Sequence, residues 1–209
     1  MELVERDFGI FRECERWKFC LSRHIKALAG FSGQRACDRR LRVLIDTGYI
    51  QREKIMYGVP GIYKLTHKAK ALIGASKRHD KIRVDYTGHD IAVLDTAIYF
   101  HKTMGIAFDG ITTEKQLHSR DGFSVRKHQP DFTFTHDGKL YCVEVELTMK
   151  SLDRLNRNLK ANFIAYDVQI WAVSYTNTKL LQILQNKKTQ YSNIKILDIR
   201  KVRNLCLIK

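Results

Sequence analysis

The residues best suited to chemistry lie in the stretch HQPDFTFTHDGKLYCVEVELTMKS, positions 128–151, where Asp131, Glu144 and Glu146 sit in two strand-like runs joined by Asp137-Gly138. An Asp-Gly pair between alternating apolar residues suits a two-residue type I′ turn, and that turn sets the register of the two strands. With His136 opposite Lys139, Asp131 falls directly across from Glu144, and the two-residue period of a strand puts Glu146 on the face of Glu144. Val143, Val145 and Leu147 take the other face and point into a core. Two ionised carboxylates about 5 Å apart repel by roughly 3 kcal/mol at an effective dielectric of about 20, a cost that asks for a compensating cation. Carboxylate oxygens favour a hard cation, Mg2+ or Mn2+, over zinc. The plainer alternative is an exposed sheet face whose solvated acids are balanced by nearby lysines.

The elements around these acids alternate between helix and strand. The pattern predicts a helix over about 89–104, an irregular stretch holding Glu114, strands over 131–135 and 140–147, and a helix capped by Ser151. Leu152, Leu155, Leu159 and Phe163 are expected to face inward on that helix, and Arg154, Arg157 and Lys160 outward, where they could hold a phosphate backbone. A strand over 168–175, a helix over 178–187 and a strand over 194–199 complete an α/β domain with a mixed sheet, spanning 89–209. The polar segment 75–88, with its run Ser76-Lys77-Arg78-His79-Asp80-Lys81, reads as a linker.

Residues 1–74 carry a different pattern. Apolar residues recur at helical spacing from Glu5 to about Leu28, with a second short helix through His24, Ile25 and Leu28 that Gly30 ends. Ser32 is the expected N-cap of a third helix, Gln34 to Thr47, whose stripe is Cys37, Leu41, Leu44 and Ile45. Its opposite face holds Gln34, Arg35, Asp38, Arg39 and Arg42, a donor set able to reach base edges and phosphates in a major groove, although a charged face opposite an apolar stripe is commonly just solvated. A hairpin follows: a strand through Arg52 to Met56 with Lys54 on it, a turn over 58–61, and a return strand over 62–65 before a helix capped by Thr66. The order of three helices, glycine breaks and hairpin, with LIDTGYIQRE between helix and hairpin, resembles winged helix-turn-helix domains, which implies DNA binding.

Composition supports a polyanionic partner. Lys and Arg number 37 against 22 Asp and Glu, a formal charge of +15. Positions 1–80 hold 17 basic and 9 acidic residues, so +8 of that charge lies there and +7 beyond it. Both halves are therefore expected to touch nucleic acid, double-stranded and also single-stranded. No signal segment and no run of 18 apolar residues is present, so the expectation is a cytoplasmic protein with no membrane partner. Cys14, Cys20, Cys37, Cys142 and Cys206 show no CxxC spacing and read as buried thiols rather than zinc ligands or disulfides. The eight histidines form no HxH or HxxxH cluster, and no motif marks Tyr141, Tyr166 or Tyr175 as a covalent nucleophile.

Pro130-Asp131 followed by Glu144 in the next strand resembles the PD-(D/E)XK (restriction-endonuclease-like) nuclease superfamily, with Glu146 where that pattern has its lysine. The winged-helix pattern ahead of GHDIAVLDTAIYF, then Glu114, the Pro-Asp pair and VEVELTMKS, is similar to the replication-relaxation family and the MobC-type plasmid relaxases; Glu114 and His89 match more loosely. The resemblance implies a metal-dependent endonuclease that nicks one DNA strand at a transfer or replication origin, with accessory mobilisation or replication proteins as partners. In that reading Asp131 and Glu144 hold Mg2+ or Mn2+ with Glu146 assisting. Lys150 stands in for the missing lysine, and Glu114 completes the metal shell or orients water. Two alternatives stay open: a non-catalytic DNA-binding regulator on a degenerate nuclease fold, and a restriction-like enzyme cutting both strands.

Overall fold

The computed structural model describes residues 2–55, 57–77, 80–122, 127–149 and 151–207. Lys150 lies outside these residues, as do Met56, Arg78 and His79 of the expected hairpin and linker. The chain divides into two compact units, residues 1–94 and 95–209. The division falls inside one long helix, Val84–Met104, which starts within the stretch expected to be linker.

The first unit opens with α1, Glu5–Arg16, which buries Ile10, Phe11 and Cys14 at helical spacing. The helical run expected as far as Leu28 is broken, because Lys18 takes a positive φ of 67° and the chain straightens so that Cys20 pairs antiparallel with Tyr63. Helix α2, Ser22–Leu28, follows and ends before Gly30, whose φ of 62° a side chain would resist. Helix α3, Gln34–Asp46, buries Cys37, Leu41 and Leu44. Its N-cap is Gly33 rather than Ser32, and no side chain caps it; the extended Gly33 lies between Ser32 and the first helical N–H groups. Strands β1, Ile50–Glu53, and β2, Ile62–Leu65, pair antiparallel from Ile50↔Leu65 to Glu53↔Ile62. Strand β1 thus starts and ends earlier than the pattern suggests. Helix α4, His67–Leu72, is capped as expected by the Thr66 hydroxyl, which accepts from the Ala69 N–H.

Two buried ion pairs tie these helices together. Asp7, fully buried on α1, accepts from Arg40 on α3, and its carboxylate also accepts the Val4 N–H at 2.9 Å. Lys70 on α4, 3% exposed, meets Glu15 on α1 at 3.1 Å. Such pairs add little net stability over apolar packing, but each fails badly if one partner is removed, so they select one helix arrangement over others.

The second unit is built on a five-stranded mixed sheet in the order β3-β4-β5-β6-β7, made of Thr112–Thr113, Phe132–His136, Lys139–Glu146, Val168–Val173 and Ile194–Asp198. The first three strands run antiparallel and the last three parallel. Parallel neighbours need crossovers, and these are α7, Leu152–Ala165, between β5 and β6, and α8, Thr178–Lys187, between β6 and β7. With α5 as Val84–Met104, α6 as Glu114–Asp121 and a final α9, Ile199–Leu207, the class is α+β, built on the mixed sheet that was expected. Helix α6 fills the stretch read as irregular; a reciprocal cap between Thr113 and Gln116 starts it.

The two faces of the sheet are covered differently. On one, Phe132, Phe134 and Tyr141 stack in sequence, and Phe100 of α5 packs on the first two at 6.3 and 5.2 Å between ring centres. On the other, Trp171 and Val173 meet Leu155 and Leu159 of α7 and Leu180 and Leu184 of α8. Glu144 and Glu146 belong to this second face, since they pair in parallel register with Trp171 and Val173. The face expected to be a polar surface is therefore covered, and Glu144 and Glu146 are 2% and 4% exposed. The inward stripe of α7 is Leu155, Asn158, Leu159 and Asn162, whereas Leu152 and Phe163, expected inside, are 47% and 41% exposed. On this stripe the Asn162 amide meets the Glu144 carboxylate.

Candidate functional site: the acidic hairpin and the basic helices

The turn between β4 and β5 has the predicted chemistry. Asp137 and Gly138 both take positive φ, 48° and 71°, the pair of conformations a type I′ turn needs. The register then runs from His136↔Lys139 to Phe132↔Val143 as the spacing predicts. Asp131 lies outside the paired register: its N–H donates at 3.1 Å to the carbonyl of Val143, the residue already paired with Phe132, so the ladder does not extend to an Asp131–Glu144 pair.

Each acid is held by defined donors. Asp131 Oδ2 accepts the Val145 N–H at 2.6 Å, and the Asp131 carbonyl accepts the Glu114 N–H at 2.9 Å. Glu144 Oε1 lies 2.8 Å from Asn162 Nδ2 and 2.6 Å from His128 Nε2. A carboxylate oxygen only accepts, so Nε2 is the protonated nitrogen of that imidazole and Nδ1 is free of that role. Among the described residues Glu144 Oε2 carries no hydrogen bond. Glu146 ends β5 on the same face.

Around them, Gln129 donates to Asp121 at the end of α6. Burial pushes the Tyr166 phenol up to about 12, and the negative charges of Glu144 and Asp121 push the same way. Burial and the Glu144 charge likewise raise the Cys142 thiol, which shares the face of Glu144 and does not ionise in the ordinary thiol range. Glu114 begins α6 with its side chain half-exposed, 3.6 Å from His118. Its backbone is thus joined to Asp131 while its carboxylate faces His118. His89 belongs to the first unit, 3.7 Å from Asp90. Among the described residues no three His, Cys, Asp or Glu side chains gather closely enough to hold a metal ion by themselves. The Asp131 and Glu144 carboxylates are both engaged by protein donors.

The basic residues form two sets. On α3, Arg35, Arg39 and Arg42 are exposed and have no hydrogen-bond or ion-pair partner among the described residues. Gln34, expected among them as a reader of bases, donates to Ser22 at 3.0 Å and Asp38 at 2.8 Å. Lys54 is exposed beyond β1, 5.6 Å from the ring centre of Tyr57, which is 94% exposed. On α7, Arg154, Arg157 and Lys160 are exposed on the side away from the buried stripe, as expected, with no partner among the described residues.

The chain matches no known protein family, no curated protein and no solved structure. The site is therefore read from its own chemistry. His128, Asn162, Gln129 and Tyr166 were not found by spacing. One signal for Asn162 was present: Asn158 and Asn162 interrupt an apolar helical stripe four residues apart, and an amide in that position needs a buried partner. Nothing in the spacing of His128 points to Glu144, sixteen residues on.

Proposed function

We propose that this chain binds DNA through its first unit and nicks one strand, at a transfer or replication origin, with the acidic hairpin of its second unit in the presence of Mg2+ or Mn2+. The observation that carries the reading is that Asp131, just ahead of β4, accepts through Oδ2 the N–H of Val145, the residue between Glu144 and Glu146, which share one face of β5. It is supported by the mixed sheet, in which the antiparallel pair β4–β5 that carries Glu144 and Glu146 is followed by a crossover helix and a parallel strand. In the first unit, α2 and α3 joined by a short turn and followed by the β1–β2 hairpin support a winged helix-turn-helix, with α3 presenting three uncommitted arginines.

The donors are carboxylates, which suit a hard cation that keeps several waters and takes one or two protein ligands. Asp131 and Glu144 would hold it, with Glu146 assisting. When bound, such a cation supplies polarisation of the phosphate and a water of lowered pKa. Arg154, Arg157 and Lys160 hold the backbone of the strand, and Lys150, four residues after Glu146, neutralises charge developing on the phosphate. No helix among the described residues is long and apolar enough to cross a membrane.

A second reading is favoured by one observation: no three metal-binding groups converge among the described residues, and Glu144 is already hydrogen-bonded twice. It is a DNA-binding regulator that keeps the acidic hairpin as a structural element. Incubation of supercoiled DNA from the source replicon with wild type and Glu144→Ala, with Mn2+, Mg2+ or EDTA, separates the two. Metal-dependent open circles from wild type alone support the nickase; a mobility shift without open circles supports the regulator.

A further inference from the structure

Glu144 is attached to its surroundings through one oxygen. Asn162 Nδ2 and His128 Nε2 reach Oε1 at 2.8 and 2.6 Å, from opposite sides in the chain: Asn162 from the crossover helix α7, His128 from the segment just ahead of β4. Two donors on one carboxylate oxygen fill both of its lone-pair directions. The last torsion of a glutamate side chain is otherwise soft, so an unrestrained carboxylate swings widely. Pinning Oε1 fixes that torsion and gives Oε2 a single direction, and Oε2 carries no hydrogen bond among the described residues. Asn162 is 1% exposed and Glu144 2%, so water does not compete for these bonds.

We infer that Asn162 and His128 are positioning residues that lock the Glu144 carboxylate through Oε1 and so present Oε2 to a divalent cation. The inference rests on the proposed function above. Neither residue touches the cation; each acts through Glu144, as the hydrogen-bonded partners of metal-ligating side chains do. The amide and the imidazole also differ in access: the His128 side chain is 22% exposed, whereas Asn162 is 1% exposed.

The test is Mn2+ binding to the full chain, read from the loss of the free-ion electron paramagnetic resonance signal, beside thermal unfolding in EDTA. Wild type, Glu144→Gln, Asn162→Leu, His128→Ala and His128→Gln are compared. Asn162→Leu and His128→Ala are expected to weaken Mn2+ by roughly 10- to 100-fold, the range usual for such partners. His128→Gln, which keeps a donor at similar reach, is expected to restore affinity to within a few-fold of wild type. Mn2+ affinity unchanged in Asn162→Leu and His128→Ala, with Glu144→Gln impaired, would overturn the positioning role while leaving the metal site intact. Wild type that takes up no Mn2+ overturns the nuclease reading itself. If Asn162→Leu fails to fold in EDTA, the His128 pair decides alone: equal affinities for Ala and Gln variants count against the inference.

Discussion

The amide of Asn162 on α7 donates to the carboxylate of Glu144 on β5 at 2.8 Å, across eighteen residues of sequence. That bond joins the crossover helix to the strand it covers and puts a buried acid in the candidate site. Removing one member of such a pair leaves the other desolvated and unsatisfied, which costs more than the bond itself contributes. Asn162→Ala is therefore expected to lower stability by about 1–3 kcal/mol. Glu144→Gln in the same background should recover part of that loss, since a neutral amide tolerates burial better than a carboxylate. Urea unfolding of the two single variants and the double variant checks this; additive losses would show that the residues are not coupled.

In the first unit the Asp7–Arg40 pair ties α1 to α3. Arg40→Met would leave the fully buried Asp7 carboxylate without its counter-charge, with an expected loss of about 3 kcal/mol. The double variant Asp7→Leu, Arg40→Met should be closer to wild type than either single change. Thermal unfolding of the three proteins tests this, and a double variant less stable than both singles would contradict it.

Arg35, Arg39 and Arg42 have no partner within the described residues, so their replacement should leave the fold unchanged and act on DNA binding alone. Each arginine that meets a phosphate should lower the slope of log affinity against log salt by about 0.9 when changed to alanine. One that reads a base should instead cost about 1–3 kcal/mol on the specific site and leave nonspecific affinity alone. Asp131→Ala is expected to bind as wild type does. Fluorescence anisotropy at several salt concentrations, on specific and scrambled duplexes, distinguishes these outcomes.

The Tyr166 phenol is pushed up to about 12 by burial, reinforced by the Glu144 and Asp121 carboxylates. Folding therefore favours its protonated form: the stabilisation is full below the ordinary tyrosine range near 10 and is lost as pH rises through about 12. Tyr166→Phe should remove the last phenolate step from an absorbance titration and flatten the alkaline fall in stability. A cation bound at Glu144 would offset the nearby negative charge and draw that step downward, so adding Mg2+ to wild type should shift it and adding Mg2+ to Tyr166→Phe should not.

Local chemistry was legible in the sequence where local forces decide it. The Asp137-Gly138 turn, the register that follows from it as far as Phe132, the Thr66 and Ser151 caps and the outward Arg154, Arg157 and Lys160 all depend on neighbours within a few residues. Turn geometry and side-chain periodicity suffice for these. The break at Lys18 was not legible, because only the partner strand at Tyr63 gives Cys20 a reason to be extended.

What the chain alone determined is thus the hairpin, its acids and the basic faces of two helices. What only the tertiary structure decided is the environment of those acids. Alternation along β5 shows which residues share a face, but not what covers it; the covering helix comes from a crossover. Only that packing buries Glu144 and Glu146, exposes Leu152 and Phe163, and brings Asn162 and His128 to one carboxylate oxygen. Desolvation and long-range hydrogen bonding depend on where distant segments meet in space, and no spacing within one strand records that.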